Sequence, residues 1–254
     1  TTLRCCLFGV TGNSMKPLAR WTYGKVMKAG EEILRHSIRT FQRIYPEFDV
    51  VVCWNHLTDA QLADLRSLAV PLYQQSVNDL NYQLESTDAP PGEKHSMPGW
   101  GWKLCPPRLR PETYELWLDN DILLRDRLPT IDTWLGTART LISTGHKRAY
   151  GTFDLLVPDV TLCAGMFGLP PYFDLAPRIY RLTEMLGGKP LGYYDEQGIV
   201  AVSVLENDPL VVPMSELLTV KELKRPLARG LHFIGANRTD RHEAWELYKC
   251  YTLM

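Results

Sequence analysis

The chain reads as an α/β protein whose open, largely parallel sheet carries helices on both faces, and two observations predict this. Strand-like apolar runs alternate with helix-like segments from the N-terminal end onward, the pattern of successive β-α-β units. With 254 residues, 45% of them hydrophobic, the chain can bury the core of one large domain or of two closely fused halves.

The elements follow in order. Leu3 to Val10 is the expected first strand, ending in the loop Gly9-Val10-Thr11-Gly12-Asn13. Ile33, Leu34, Ile38, Phe41 and Ile44 recur three or four residues apart, which makes one face of a helix that Pro46 closes. Val50 to Trp54 forms the second strand, Thr58 caps a helix through Leu68, and Val70 to Gln74 forms the third strand. Residues 85–102 follow neither period and are rich in Pro and Gly. A loop of that length is either a flap over a ligand or a passive connector; Trp100 and Trp102 suit a sugar or base surface, or an anchor to the core.

Tyr114 to Leu118 reads as a buried strand running into Asp119-Asn120-Asp121 and then Ile122-Leu123-Leu124. Leu128-Pro129-Thr130 starts a helix expected to reach about Ser143, and Ala149 to Phe153 is expected to be a further strand. Thr161 to Leu169 is a strand interrupted by Gly165, a mark of close approach by ligand or backbone. Phe173 to Leu186 is helical and stops at Gly187-Gly188, and Asp195-Glu196-Gln197 opens a helix through Leu205 with its acids where the helix dipole favours them. The amphipathic tail, Glu243 to Leu253, is expected to dock onto the domain.

Composition narrows the partners. Twenty-eight basic residues against twenty-nine acidic ones give a net charge of -1 with no long run of either sign, so no nucleic acid is expected to bind, although a few local cations can hold a small phosphorylated ligand. The six cysteines form no CxxC pair and no zinc-like spacing with the six histidines; Cys5, Cys53 and Cys163 sit in apolar strand-like runs, where reduced and buried is the default. No apolar stretch approaches the roughly 20 residues that cross a membrane. A cytoplasmic location is the expectation, with oligomeric state left open.

Asp119 and Asp121 are the most informative residues. Burying charge is costly without a compensating cation, and two acids interrupting a buried segment point to a divalent ion. Side chains in a strand alternate, so residues 119 and 121 are expected to share a face while Asn120 looks away. The bland reading is a solvated Asp-Asn turn.

Four stretches resemble the GT-A class of nucleotide-sugar glycosyltransferases, most closely its retaining branch that includes glycogenin and the lipopolysaccharide galactosyltransferases. Trp102-Lys103-Leu104-Cys105-Pro106-Pro107-Arg108-Leu109 with Leu116-Trp117-Leu118-Asp119-Asn120-Asp121 is similar to a basic residue on a helix before a strand ending in DxD. Leu162-Cys163-Ala164-Gly165-Met166-Phe167 resembles the Asn-Ala-Gly strand, Glu196-Gln197-Gly198 the Asp-Gln-Asp segment, and His232-Phe233-Ile234-Gly235-Ala236-Asn237-Arg238 the closing His-x-x-Gly-x-Lys element. The stretches occur in the family's order.

The resemblance implies a single GT-A domain over 1–254, with residues 1–124 as the nucleotide-binding half and 125–254 as the sugar- and acceptor-binding half. It assigns Asp119, Asp121 and His232 to a metal ion, for which carboxylates plus one imidazole suit Mn2+, with Mg2+ as a substitute. The expected donor is a UDP-hexose and the acceptor a carbohydrate or other hydroxyl. Thr11, Gly12, Asn13, Lys103, Asn120, Ala164, Gly165, Gly235 and Arg238 are expected around the donor, and Gln197 on the sugar face opposite the leaving group. The implied reaction is hexosyl transfer with retention. An inverting transferase with Asp195 or Glu196 as base, or a non-catalytic binding protein, are the alternatives. Cys163 stands where the family usually has asparagine, Gly198 where it has the second acid, and Arg238 in place of lysine.

Overall fold

A computed structural model of the chain describes residues 15–24, 28–55, 57–74, 103–104, 106–187, 194–220, 228–236 and 239–252. The expected strand Leu3 to Val10, the loop residues Thr11, Gly12 and Asn13, the segment 85–102 and Arg238 lie outside the described residues.

The first half is a β-α-β-α-β unit made of β1 (Leu18–Tyr23), α1 (Lys28–Ile44), β2 (Asp49–Trp54), α2 (Asp59–Arg66) and β3 (Leu72–Gln74). α1 buries the face carrying Ile33, Leu34, Ile38 and Phe41, and Phe41 meets the edge of Trp21 on β1 with centroids 5.3 Å apart. α2 starts with a capping box in which Thr58 and Gln61 satisfy each other's backbone N–H.

The strand in front of α1 is Leu18–Tyr23, a segment that the sequence reading passed over. A charge in its middle, Arg20, breaks the apolar run. Its guanidinium is fully buried, 3.2 Å from Oε1 of Glu115, and lies over the Trp117 ring at 4.7 Å. The compensating acid is 95 residues away in sequence, so local pattern does not reveal it.

The chain continues with β4 (Glu115–Asp119), β5 (Ile122–Leu124), α3 (Pro129–Trp134), β6 (Leu141–Thr144), a 3-10 segment (Gly151–Leu156), β7 (Leu162–Leu169), α4 (Ala176–Glu184), α5 (Asp195–Leu205), β8 (Leu210–Val212), β9 (Leu217–Thr219), β10 (Gly230–His232) and α6 (Glu243–Thr252). Among the described residues seven strands form the main sheet in the order β3-β2-β1-β4-β7-β6-β8, and β5-β10-β9 form a second, small sheet. β7 runs antiparallel to both β4 and β6, whereas the other four pairings of the main sheet are parallel. This is the expected mostly parallel sheet between helices.

Three expectations require correction. The helix from Leu128 stops at Trp134, and Leu141–Thr144 is a strand paired with β7 and β8; the Trp134 indole tucks against Gly168, where a Cβ would stand 2.6 Å away. Ala149 to Phe153 is no strand, because Gly151 turns the chain at φ +56° into a 3-10 segment. Asp119 and Asp121 do not sit on one continuous strand, since Asn120 and Asp121 form a turn that carries the chain from the main sheet into the small one.

Two apolar clusters cover the two faces of the main sheet. One joins Trp21, Phe41, Leu116 and Trp134, and the other joins Trp117, Phe167, Phe153 and Ile199. A third, around Trp245 and Phe233, docks α6 onto the small sheet beside Ile33 of α1. Burial of this size is the main favourable term in folding.

Candidate metal and nucleotide-sugar site

The carboxyl end of β4 delivers Asp119, and the turn behind it delivers Asp121. His232 arrives on β10, whose register against β5 places it opposite Ile122. The ladder extends one step further, because the Phe233 N–H donates to the Asp121 carbonyl at 2.9 Å. Backbone pairing therefore brings together groups more than a hundred residues apart.

One ligand atom from each of Asp119, Asp121 and His232 lies within 4.8 Å of the others. Nε2 of His232 stands 3.2 Å from Oδ1 of Asp121, and both side chains are 6% exposed. That Oδ1 is buried yet aligned with no hydrogen-bond donor. A buried carboxylate oxygen in this state calls for positive charge, which either a protonated His232 ring or a bound divalent ion supplies. Carboxylate oxygens with one imidazole form a donor set suited to Mn2+ or Mg2+, so the residues fit the implied ion. Burial works against the His232 imidazolium, but Asp121 and Cys163 outweigh it and hold its pKa well above 6.5.

Gly165 of β7 lies against this group. A Cβ there would stand 2.6 Å from Cε1 of His232 and 3.3 Å from Oδ2 of Asp119, which is the close approach expected of a glycine inside a strand. Ala164, whose side chain faces the other way in the strand, packs into the cluster with Trp117 and Phe167.

Lys103 connects the metal group to α5. Its Nζ lies 2.9 Å from Oδ1 of Asp119 and 2.8 Å from Oε1 of Glu196. Burial lowers the Lys103 pKa, but the Asp119 and Glu196 carboxylates overcome this and hold it above the ordinary value. Burial raises the pKa of Asp119 and of Glu196, with the Lys103 charge opposing it in both.

Asp195 faces elsewhere: its Oδ1 accepts the Thr152 N–H at 2.6 Å and its Oδ2 the Thr152 hydroxyl at 3.3 Å, which ties α5 to the 3-10 segment. Gln197 donates from Nε2 to the Ala149 carbonyl at 2.7 Å. Gly198 has no room for a side chain, because a Cβ would meet the Tyr150 carbonyl oxygen at 2.3 Å. The departure from a second acid at this position thus has a packing cause. Asn120 is buried with an unpartnered Nδ2, and Gly235 turns the chain after β10 at φ +87°. The loop that follows β1 begins at Gly24.

The structure also shows what sequence reasoning missed. Sγ of Cys163 lies 3.9 Å from Nδ1 of His232, and only the Cys163 departure from asparagine had marked the position.

No sequence family and no curated protein matches the chain, but solved structures do. The chain is similar to the galactosyltransferase LgtC in complex with donor and acceptor sugar analogs, with 12% identity, 86% of this chain and 87% of that chain covered, and a TM-score of 0.55. Mouse xyloside xylosyltransferase 1 is similar at 10% identity, covering 87% of this chain and 98% of that chain with a TM-score of 0.52. The bifunctional glycosyltransferase WbbM matches at 13% identity over 90% of this chain and 47% of that chain, with a TM-score of 0.61. The architecture is therefore the GT-A glycosyltransferase fold.

Proposed function

We propose that the chain is a metal-dependent glycosyltransferase that moves a hexose from a nucleotide diphosphate sugar, UDP-linked in the expected case, onto an acceptor hydroxyl with retention. The observation that carries this reading is the convergence of Asp119, Asp121 and His232 within 4.8 Å, at the carboxyl end of a central strand where open α/β sheets bind ligands.

Asp119, Asp121 and His232 would hold Mn2+, which when bound neutralises the charge developing on a departing diphosphate. Lys103, fixed between Asp119 and Glu196, orients both acids and adds a cation at the rim of the donor site. Asn120, Gly165 and the backbone of Ala164 border the donor in this reading, and Gly235 and Arg238 its phosphates. Gln197, at the start of α5, lies beside the sugar.

Retention is favoured over inversion by the state of the two acids. An inverting enzyme needs a carboxylate base able to take a proton from the acceptor. Glu196 is paired with Lys103 and Asp195 accepts from Thr152, so each is committed to a neighbour. Among the described residues no helix is long and apolar enough to cross a membrane.

Thermal unfolding of the chain with Mn2+ and a panel of nucleotide sugars tests the proposal. UDP-dependent stabilisation that requires the metal and disappears in Asp121→Ala is the expected result. Equal stabilisation by UDP in the presence of a chelator would overturn it.

A further inference from the structure

The His232 ring meets different partners at its two nitrogens. Nε2 stands 3.2 Å from Oδ1 of Asp121, and Nδ1 lies 3.9 Å from Sγ of Cys163. The same sulfur accepts the Gly165 N–H at 3.4 Å. Cys163 and Gly165 are two residues apart on β7 and so address the same side of the sheet. One contributes a sulfur atom to the ring, and the other contributes the space that the ring occupies.

A neutral imidazole has one lone pair for a metal, and the hydrogen bond at the other nitrogen decides which nitrogen offers it. If Nε2 carried the proton, it would face Asp121 as a donor and leave no lone pair toward the acids. If Nδ1 carries it, that proton points at the Cys163 sulfur, and the Nε2 lone pair faces Asp121.

We infer that Cys163 is a positioning residue of the metal site: its sulfur accepts the Nδ1 proton of His232 and so presents Nε2 to the ion. The inference rests on the metal reading above and assigns a role to a residue outside the three ligands. Partners of this kind commonly change metal affinity by about 10- to 100-fold when removed.

Calorimetric titration of Mn2+ into the chain at fixed UDP concentration tests it, with the native protein, Cys163→Ala and Cys163→Asn compared. Unfolding temperatures in chelator establish that each variant is folded, and Cys163→Ser replaces the Asn variant if that one does not fold. Cys163→Ala is expected to bind Mn2+ about tenfold more weakly, and Cys163→Asn, whose carbonyl oxygen again offers an acceptor, recovers most of the loss. Native-like affinity in Cys163→Ala, or an Asn variant as weak as the Ala one, would overturn the inference. Imidazole 15N spectra of the Mg2+-bound native protein give a second readout, with the proton expected on Nδ1; a proton on Nε2 would refute the assignment. A native chain that binds no Mn2+ refutes the metal reading itself, an outcome distinct from either of these.

Discussion

His232 packs its imidazole against the bare backbone of Gly165, so that a single added methyl group would press to 2.6 Å from Cε1. Gly165→Ala must therefore displace the ring or the strand. Overpacking of this kind costs about 1–3 kcal/mol, and the expected outcome is a folded protein that has lost most of its Mn2+-dependent stabilisation by UDP. Thermal unfolding with and without chelator measures both effects, and full retention of the metal response would contradict the geometry.

Lys103 is the sole described cation within ion-pair distance of both Asp119 and Glu196. Lys103→Met leaves two acids without their countercharge, and the expected loss is about 3 kcal/mol, the lower end for a broken buried pair because Asp119 keeps 30% of its side chain exposed. Burial already holds both carboxyls above the ordinary range, so they take up protons readily and the loss shrinks as pH falls. Denaturant unfolding at acidic and mildly alkaline pH measures this; an equal loss at both would count against it.

His232 gives a pH dependence of the opposite sign in the metal-free chain. Its folded pKa is raised well above 6.5, against burial and chiefly through Asp121. The stability from this charged contact is complete below about pH 6.5 and is lost as pH rises through the folded value. The stability difference between the native chain and His232→Gln in chelator should narrow as pH increases. Mn2+ binding should release a proton over the same window, which calorimetry in buffers of different ionisation enthalpy detects.

Arg20 and Glu115 form a fully buried pair between β1 and β4, and Glu115 also accepts the N–H groups of Leu109 and Arg110. Glu115→Leu alone leaves the buried Arg20 guanidinium uncompensated, removes the 3.8 Å contact to Arg108 as well, and should cost about 3–5 kcal/mol. Arg20→Met with Glu115→Leu should recover part of that loss, the signature of a coupled pair. Additive losses in the double variant would refute the coupling.

Much of this architecture was legible in the sequence, and the failures share a cause. α1, β2, α2, β7 and α5 appear where period and capping place them, because their signals lie within a few residues of one another. β1 was missed because Arg20 is compensated by an acid on a distant strand. The helix placed over 128–143 overran because Trp134 ends α3 by packing on Gly168 of β7, which no local pattern records. At the site, the ordered motifs identified Asp119, Asp121 and His232, and these converge. The strand alternation invoked for the two acids was the wrong mechanism, since a change of sheet at Asn120 and Asp121 brings them together. Cys163 departs from the family's asparagine, but the ring that it meets lies 69 residues on, beyond any local pattern.

The small sheet acts as a ruler. Hydrogen bonds between β5 and β10 set His232 opposite Ile122, so the spacing from imidazole to carboxylate is dictated by main-chain pairing before any ion arrives. A cation entering such a cradle has little chain to organise. Tuning its affinity then falls to the atoms behind the ring, while a slip of one residue between those two short strands would turn the histidine to the opposite side of the sheet and abolish the cradle outright.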